Sequence, residues 1–187
     1  MAGQGKNGVG IVGARILPEE YKQKVFELVR YLLDKGYKIN SGGAMGADLY
    51  ALEALLALGA IDKGLIFSPW SSLSCFPKAV KPDIEKYLSQ KGKISWGLVA
   101  PDANCAVVRA GLLARNEKLV KNSSGLVAFL YGESRGTSFT VRRACANGLK
   151  VVVFLCDEKA KLPEIQNGRW IKLTCCSPWK GGFLFKQ

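Results

Sequence analysis

Residues 37–58 read YKINSGGAMGADLYALEALLAL. Tyr37 to Asn40 is a short strand, and Ala47 to Leu58 is rich in alanine and leucine, the strongest helix formers. Between them, Ser41 to Gly46 forms a turn with three glycines. A strand that passes through glycines directly into a helix is the repeating unit of an α/β fold. The same rhythm extends in both directions. Upstream, VGIVGA (9–14) is a short, apolar, β-branched run that reads as a buried strand. Pro18 opens a helix whose Val25, Leu28, Val29, Leu32 and Leu33 share one face, and Gly36 ends it.

Downstream, Gly64 to Phe67 is a third strand, and the Ser- and Pro-rich stretch 68–80 is a loop. Asp83 to Gln90 is a helix, Lys93 to Trp96 a strand, and Ala103 to Lys121 a helix. The apolar strand Leu126 to Leu130 leads through a turn (Tyr131 to Gly136) to a helix over Thr137 to Ala146. Lys150 to Leu155 is the most apolar strand. Beyond Lys159 the tail is basic and loop-rich, with one strand at Trp170 to Leu173. Alternating helices and continuously apolar strands predict a mostly parallel sheet covered on both faces. The expected fold is α/β: one doubly wound Rossmann-like domain over 1–187, with its core at about 9–155 and a basic extension at about 156–187.

Composition narrows the function. Among the 187 residues, 27 Lys and Arg oppose 15 Asp and Glu, giving a net charge of +12. Such a field attracts polyanions. Histidine is absent, which excludes Ser-His and Cys-His catalysis and imidazole metal sites. The cysteines form no C-x-x-C pair. Cys145 and Cys156 read as small core residues, adjacent Cys175 and Cys176 cannot easily pair, and a reduced, cytoplasmic setting fits. No metal site and no cofactor is expected. No run approaches the ~18 apolar residues of a membrane span, and no apolar signal core opens the chain, so no membrane partner is expected.

GVGIVG (8–13) matches G-x-G-x-x-G by letter, but its glycines lie inside a strand and no helix begins until Pro18. Small residues for close packing explain it better than a dinucleotide fingerprint. The turn Ser41-Gly42-Gly43-Ala44-Met45-Gly46 is in the right context. Its glycines let an anion approach the backbone, and the helix beginning near Gly46 directs N–H groups at it. Asp48, in the first turn, either complements the dipole or accepts from a ribose hydroxyl or a base. Gly132-Glu133-Ser134-Arg135-Gly136-Thr137 repeats the logic, with Thr137 placed to cap the next helix. With Gly13, Ala14 and Arg15 after the first strand, these turns should meet outside the carboxyl ends of the strands. Arg115 is a candidate ligand- or phosphate-binding residue, or else a solvated position on the outer face. Asn116 shares a stripe with Cys105, Val108, Leu112 and Leu119, so it is either a structural tie or part of a site.

Several of these elements, in order, resemble the DNA-processing protein A (DprA, or Smf) family. SGGAMGAD is similar to its SGGARGID turn. Phe76-Pro77 resembles its Tyr-Pro step, and Lys91 to Ser95 its glycine-then-Ile-Ser strand. Arg115-Asn116 resembles its Arg-Asn-Arg helix start, and Ser134 to Thr140 its Ser-Gly-Ser/Thr turn. The resemblance covers about Val9 to Phe154. It implies a Rossmann-like fold that binds nucleotides or single-stranded nucleic acid in DNA processing. Met45 stands where the family has arginine, Glu117 follows Arg115-Asn116 in place of a second arginine, and Trp96 replaces an acidic residue. The family's N-terminal helical and C-terminal winged-helix domains have no counterpart in these 187 residues.

The wider group includes the "lonely guy" phosphoribohydrolases, whose P-G-G-x-G-T-x-x-E turn has Thr140 here at its glutamate position. A missing carboxylate argues against N-glycosidic hydrolysis. As that alternative, a nucleotide hydrolase would need Glu53 or Glu133 as its acid–base group. A nucleotide sensor that signals to a partner protein is a third reading. The expected partner is a nucleotide or single-stranded nucleic acid, and a homodimer is compatible with the sequence.

Overall fold

The structure, a computed structural model, describes residues 7–174 and 177–187; Cys175 and Cys176 lie outside the described residues. The strands are β1 (Gly8–Gly13), β2 (Lys38–Ser41), β3 (Gly64–Phe67), β4 (Lys93–Ser95), β5 (Gly125–Leu130), β6 (Lys150–Leu155), β7 (Arg169–Lys172) and β8 (Phe183–Lys186). The helices are α1 (Lys22–Asp34), α2 (Ala47–Ala57), α3 (Lys81–Ser89), α4 (Cys105–Lys121) and α5 (Arg135–Ala146). The strands form one eight-stranded sheet in the order β4-β3-β2-β1-β5-β6-β8-β7.

From β4 to β6 every pairing is parallel, with Val9 beside Ile39 on one side and Gly125 on the other. The chain winds outward from β1 through β2 and β3 to β4, then returns to place β5 on the other side of β1. The strand order therefore switches between β1 and β5, where a doubly wound sheet leaves a crevice.

GVGIVG is strand β1 itself, and its glycines serve packing. A Cβ on Gly10 would stand 2.8 Å from both Leu119 and Leu126, and one on Gly13 would stand 2.6 Å from the Ala47 Cβ. Real side chains do not tolerate such spacing, so glycine lets α4 and α2 lie close against the central strand. On one face, α1 and α2 bury Ile11, Val25, Leu28, Ile39 and Phe129; on the other, α4 and α5 bury Leu119, Leu126, Ala128, Val141 and Val153.

Several boundaries differ from the sequence reading. Pro18 precedes a single 3-10 turn (Glu19–Tyr21), and α1 itself starts at Lys22. The tail is more ordered than a loop-rich reading allows. Its strand β7 pairs antiparallel with β8, and β8 pairs antiparallel with β6. β8 escapes detection because FLFK is only four residues long and follows a Pro- and Gly-containing stretch. Among the described residues, no helix is long and apolar enough to cross a membrane. Cys145 and Cys156 are buried in the core, where burial pushes each thiol up to about 12.

Candidate functional site

An open cavity of about 770 Å³ lies at the carboxyl ends of β1 and β5. Its walls are Val12 to Ile16 at the end of β1, residues between Tyr131 and Thr140 at the start of α5, residues between Arg109 and Asn116 of α4, and Ala44 and Asp48 at the turn into α2. Of the residues expected from sequence, Gly13, Ala14, Arg15, Asp48, Arg115, Asn116, Gly132, Ser134, Gly136 and Thr137 line it. Ser41, Gly42, Gly43 and Gly46 do not.

The turn into α2 is a packed structure beneath the cavity. A Cβ on Gly42 would overlap the Arg115 guanidinium, and one on Gly46 would overlap the Ala14 carbonyl oxygen. Gly43, at φ +64°, would place a Cβ 2.8 Å from Ile66 and 3.2 Å from Phe76. That direction leads into the apolar cluster under α2 and α3, away from the cavity. Bulk at Gly43 therefore attacks the fold and not a ligand. The same close fit fixes Asp48. Its Oδ2 accepts from Arg115 Nη1 at 3.1 Å and from the Ala44 N–H at 3.4 Å. Its carbonyl oxygen accepts from the Ser41 hydroxyl at 3.2 Å. Burial pushes the Asp48 carboxyl up, while Arg115 and the N–H groups of Ala44 and Gly42 pull it back.

Arg115 is buried, only 8% exposed, so of its two readings the solvated outer position does not hold. Asn116 is half-buried and makes no side-chain hydrogen bond among the described residues. The first half of α4 is mostly exposed: Cys105, Ala106, Val107, Arg109 and Ala110 are exposed, while Val99 packs on Gly111. Among the described residues, α4 buries only Arg115, Leu119 and Val120. Arg115 enters at the level of the edge, where Gly42 leaves space for it. Its Nε is buried and has no hydrogen-bond partner among the described residues. A buried N–H without an acceptor is costly, and Arg115 lines a cavity whose one lining carboxylate among the described residues, Asp48, already receives Nη1.

The turn into α5 is built differently. Gly132 (φ +59°) and Ser134 (φ +29°) both adopt left-handed backbone. Asp157 anchors the turn by accepting from the Gly132 N–H at 3.0 Å. The Ser134 hydroxyl accepts from the Tyr131 N–H and donates to the Tyr131 carbonyl, so it does not cap the helix. Nor does Thr137, because α5 begins two residues earlier, at Arg135, and Thr137 lies within its first turn. The first N–H groups of α5 therefore have neither helical nor side-chain acceptors, and they present positive potential to the cavity. The Thr140 hydroxyl donates to the Gly136 carbonyl at 3.0 Å.

Arg109, Leu112, Leu113, Phe139 and Thr140 also line the cavity and were not singled out as site residues from sequence. Arg109, Leu112 and Asn116 recur at i, i+3 and i+7, a helical face that could have revealed Arg109 once Asn116 was noted. Arg15 and Arg109 are exposed, and neither has a carboxylate within salt-bridge distance among the described residues. Glu53 pairs with Lys22 at 3.1 Å, and Glu133 pairs with Arg135 at 3.0 Å; neither lines the cavity. Glu117 binds Arg143 of α5 at 2.6 Å, and Trp96 meets Phe76 edge-on at 6.0 Å. Among the described residues, no cluster of Cys, Asp and Glu could hold a metal ion.

The sequence model of the family described as DNA recombination-mediator protein A matches residues 2–169. No curated protein matches the chain. Among solved structures, it is similar to DNA processing protein A from Helicobacter pylori, a structure described for its single-stranded DNA binding mode. Identity there is 23% and the TM-score 0.66, over 83% of this chain and 68% of that one. It is also similar to DNA processing protein A from Streptococcus pneumoniae, at 22% identity and a TM-score of 0.63. That likeness covers 81% of this chain and 51% of the other, so the chain spans about half of that relative. At these identities the likeness establishes the fold.

Proposed function

The chain belongs to the DNA recombination-mediator protein A family, and from that premise we propose that the cavity between β1 and β5 binds the phosphates of single-stranded DNA. The observation that carries this reading is Arg115. It is a buried guanidinium whose Nε has no partner among the described residues, on the wall of a cavity that also receives the open N-terminus of α5. An anion completes both. It accepts from the buried N–H, and it occupies the positive end of the helix dipole without further reorganisation. Arg15 and Arg109, exposed at the same cavity and without a salt bridge among the described residues, extend the positive surface to neighbouring phosphates. Ile16, Leu113 and Phe139 offer apolar contact for bases, which tolerates any sequence.

The test is a direct occlusion. Gly136 lines the cavity, and a Cβ added there meets nothing within 4 Å. Gly136→Gln places bulk in the cavity without disturbing the core. The expected result is that wild-type protein retards a short oligo-dT in a gel shift and Gly136→Gln does not, while Gly136→Gln melts no lower than wild type. Equal retardation by the two proteins removes this cavity as the DNA site.

A further inference from the structure

A second cavity, of about 640 Å³, opens at the amino ends of β1, β5 and β6, the edge of the sheet opposite the DNA cavity. It arises from the layering of the fold. β5 and β6 take their helix, α5, on one face. On the other face, Val127 of β5, Val152 of β6 and Leu184 of β8 belong to the apolar cluster of α1 and α2. At the amino edge these three form a floor, and Tyr31 of α1 and Leu173 and Trp179 of the tail are the walls. Tyr31 and Trp179 meet edge-on, with ring centroids 5.7 Å apart, so helix and tail join at this cavity. A largely apolar and aromatic lining around a space of this size is that of a small-molecule site.

We propose that this cavity binds an organic monocarboxylate with a large apolar body, independently of the DNA reading of the first cavity. The charges choose the ligand. Lys35 and Lys150 are the charged residues among those that line the cavity, with no Asp or Glu beside them. Both are exposed, and neither has a salt bridge among the described residues. The Lys35 ammonium stands 5.6 Å from the centroid of the Tyr31 ring, which holds a positive charge over an aromatic wall. α1 ends at Asp34, so the negative end of its dipole lies at this edge. That end disfavours a phosphate dianion, whereas two lysines suffice to offset a single carboxylate. The apolar body then covers Val127, Val152 and Leu184, where the sheet carries no helix of its own.

Calorimetric titration with decanoate, and with decanol as its uncharged counterpart, tests this. Wild-type protein is expected to bind decanoate roughly five- to tenfold more tightly than decanol, the gain of two exposed charge pairs. The double variant Lys35→Ala/Lys150→Ala should bind the two compounds alike, and it should fold normally because both side chains are exposed. Ser124 is exposed and lines the same cavity. Ser124→Trp fills that space and should bind neither compound; should it fail to fold, the lysine variant carries the test. Lys93→Ala, at the start of β4 and outside the cavity, should bind like wild type. No binding of decanoate by wild-type protein, or wild-type affinity for it in the lysine variant or in folded Ser124→Trp, overturns the proposal. The DNA reading survives either result, since the two cavities lie at opposite ends of the strands.

Discussion

Two turns carry a strand into a helix at the same edge of the sheet, and both are rich in glycine. The turn into α2 is filled: Gly42 leaves room for Arg115, Gly43 for Ile66 and Phe76, and Gly46 for the Ala14 carbonyl. The turn into α5 is open: neither Gly132 nor Gly136 has a heavy atom within 4 Å of where a Cβ would stand. Glycine serves packing in the first and lines the cavity in the second. The two cooperate through Arg115, since the space left by Gly42 is what allows a guanidinium to sit buried beside the open turn. Similar sequence texture thus hides opposite physical roles, and neighbouring side chains separate them.

Substitutions can break that contrast. The largest effect belongs to the buried pair. Asp48→Ala leaves the Arg115 guanidinium buried without its partner, and should cost about 3–5 kcal/mol of unfolding free energy. Urea denaturation reads this directly, and a loss below ~1 kcal/mol would show that Arg115 escapes to solvent. Next comes the filled turn. Gly43→Ala combines left-handed backbone with overpacking against Ile66, and should cost about 1–3 kcal/mol. The open turn reverses the sign. Gly136→Ala, in the first turn of α5 with nothing to strike, should gain about 0.5–1 kcal/mol by restricting the unfolded chain. Were Gly43→Ala to be tolerated and Gly136→Ala to destabilise, the roles assigned to the two turns would be exchanged.

Much of this arrangement is legible in the sequence, for identifiable reasons. The apolar strands and their alternation with helices define the sheet, and the glycine turns mark its carboxyl edge. The residues of GVGIVG read correctly as packing because no helix follows them. What sequence could not supply was depth. Periodicity along α4 assumes a core beside the whole helix, but its buried residues are confined to its second half, so the stripe through Asn116 is only half-buried and the buried position is Arg115. Thr137 looked like a cap because threonine favours that position, yet the left-handed Ser134 starts the helix earlier. Gly43 shows the same limit: a glycine's letter reports freedom, and only its neighbours report whether a ligand or a side chain uses it. The pairing of β8 with β6 depends on contacts about thirty residues apart, beyond any local pattern.

The smallest structural change gives the most direct test of the cavity as a phosphate site. Arg109 is exposed at the cavity and has no salt bridge among the described residues, so Arg109→Ala should leave stability within about 0.5 kcal/mol of wild type. Its effect belongs in the salt dependence of oligo-dT affinity, measured by fluorescence anisotropy. With three or four phosphates held by Arg15, Arg109, Arg115 and the α5 N-terminus, log affinity should fall with log salt at a slope of about −2 to −3. Removing Arg109 should flatten that slope by about 0.7. Affinity indifferent to salt, or a slope unchanged by Arg109→Ala, would contradict phosphate binding in this cavity.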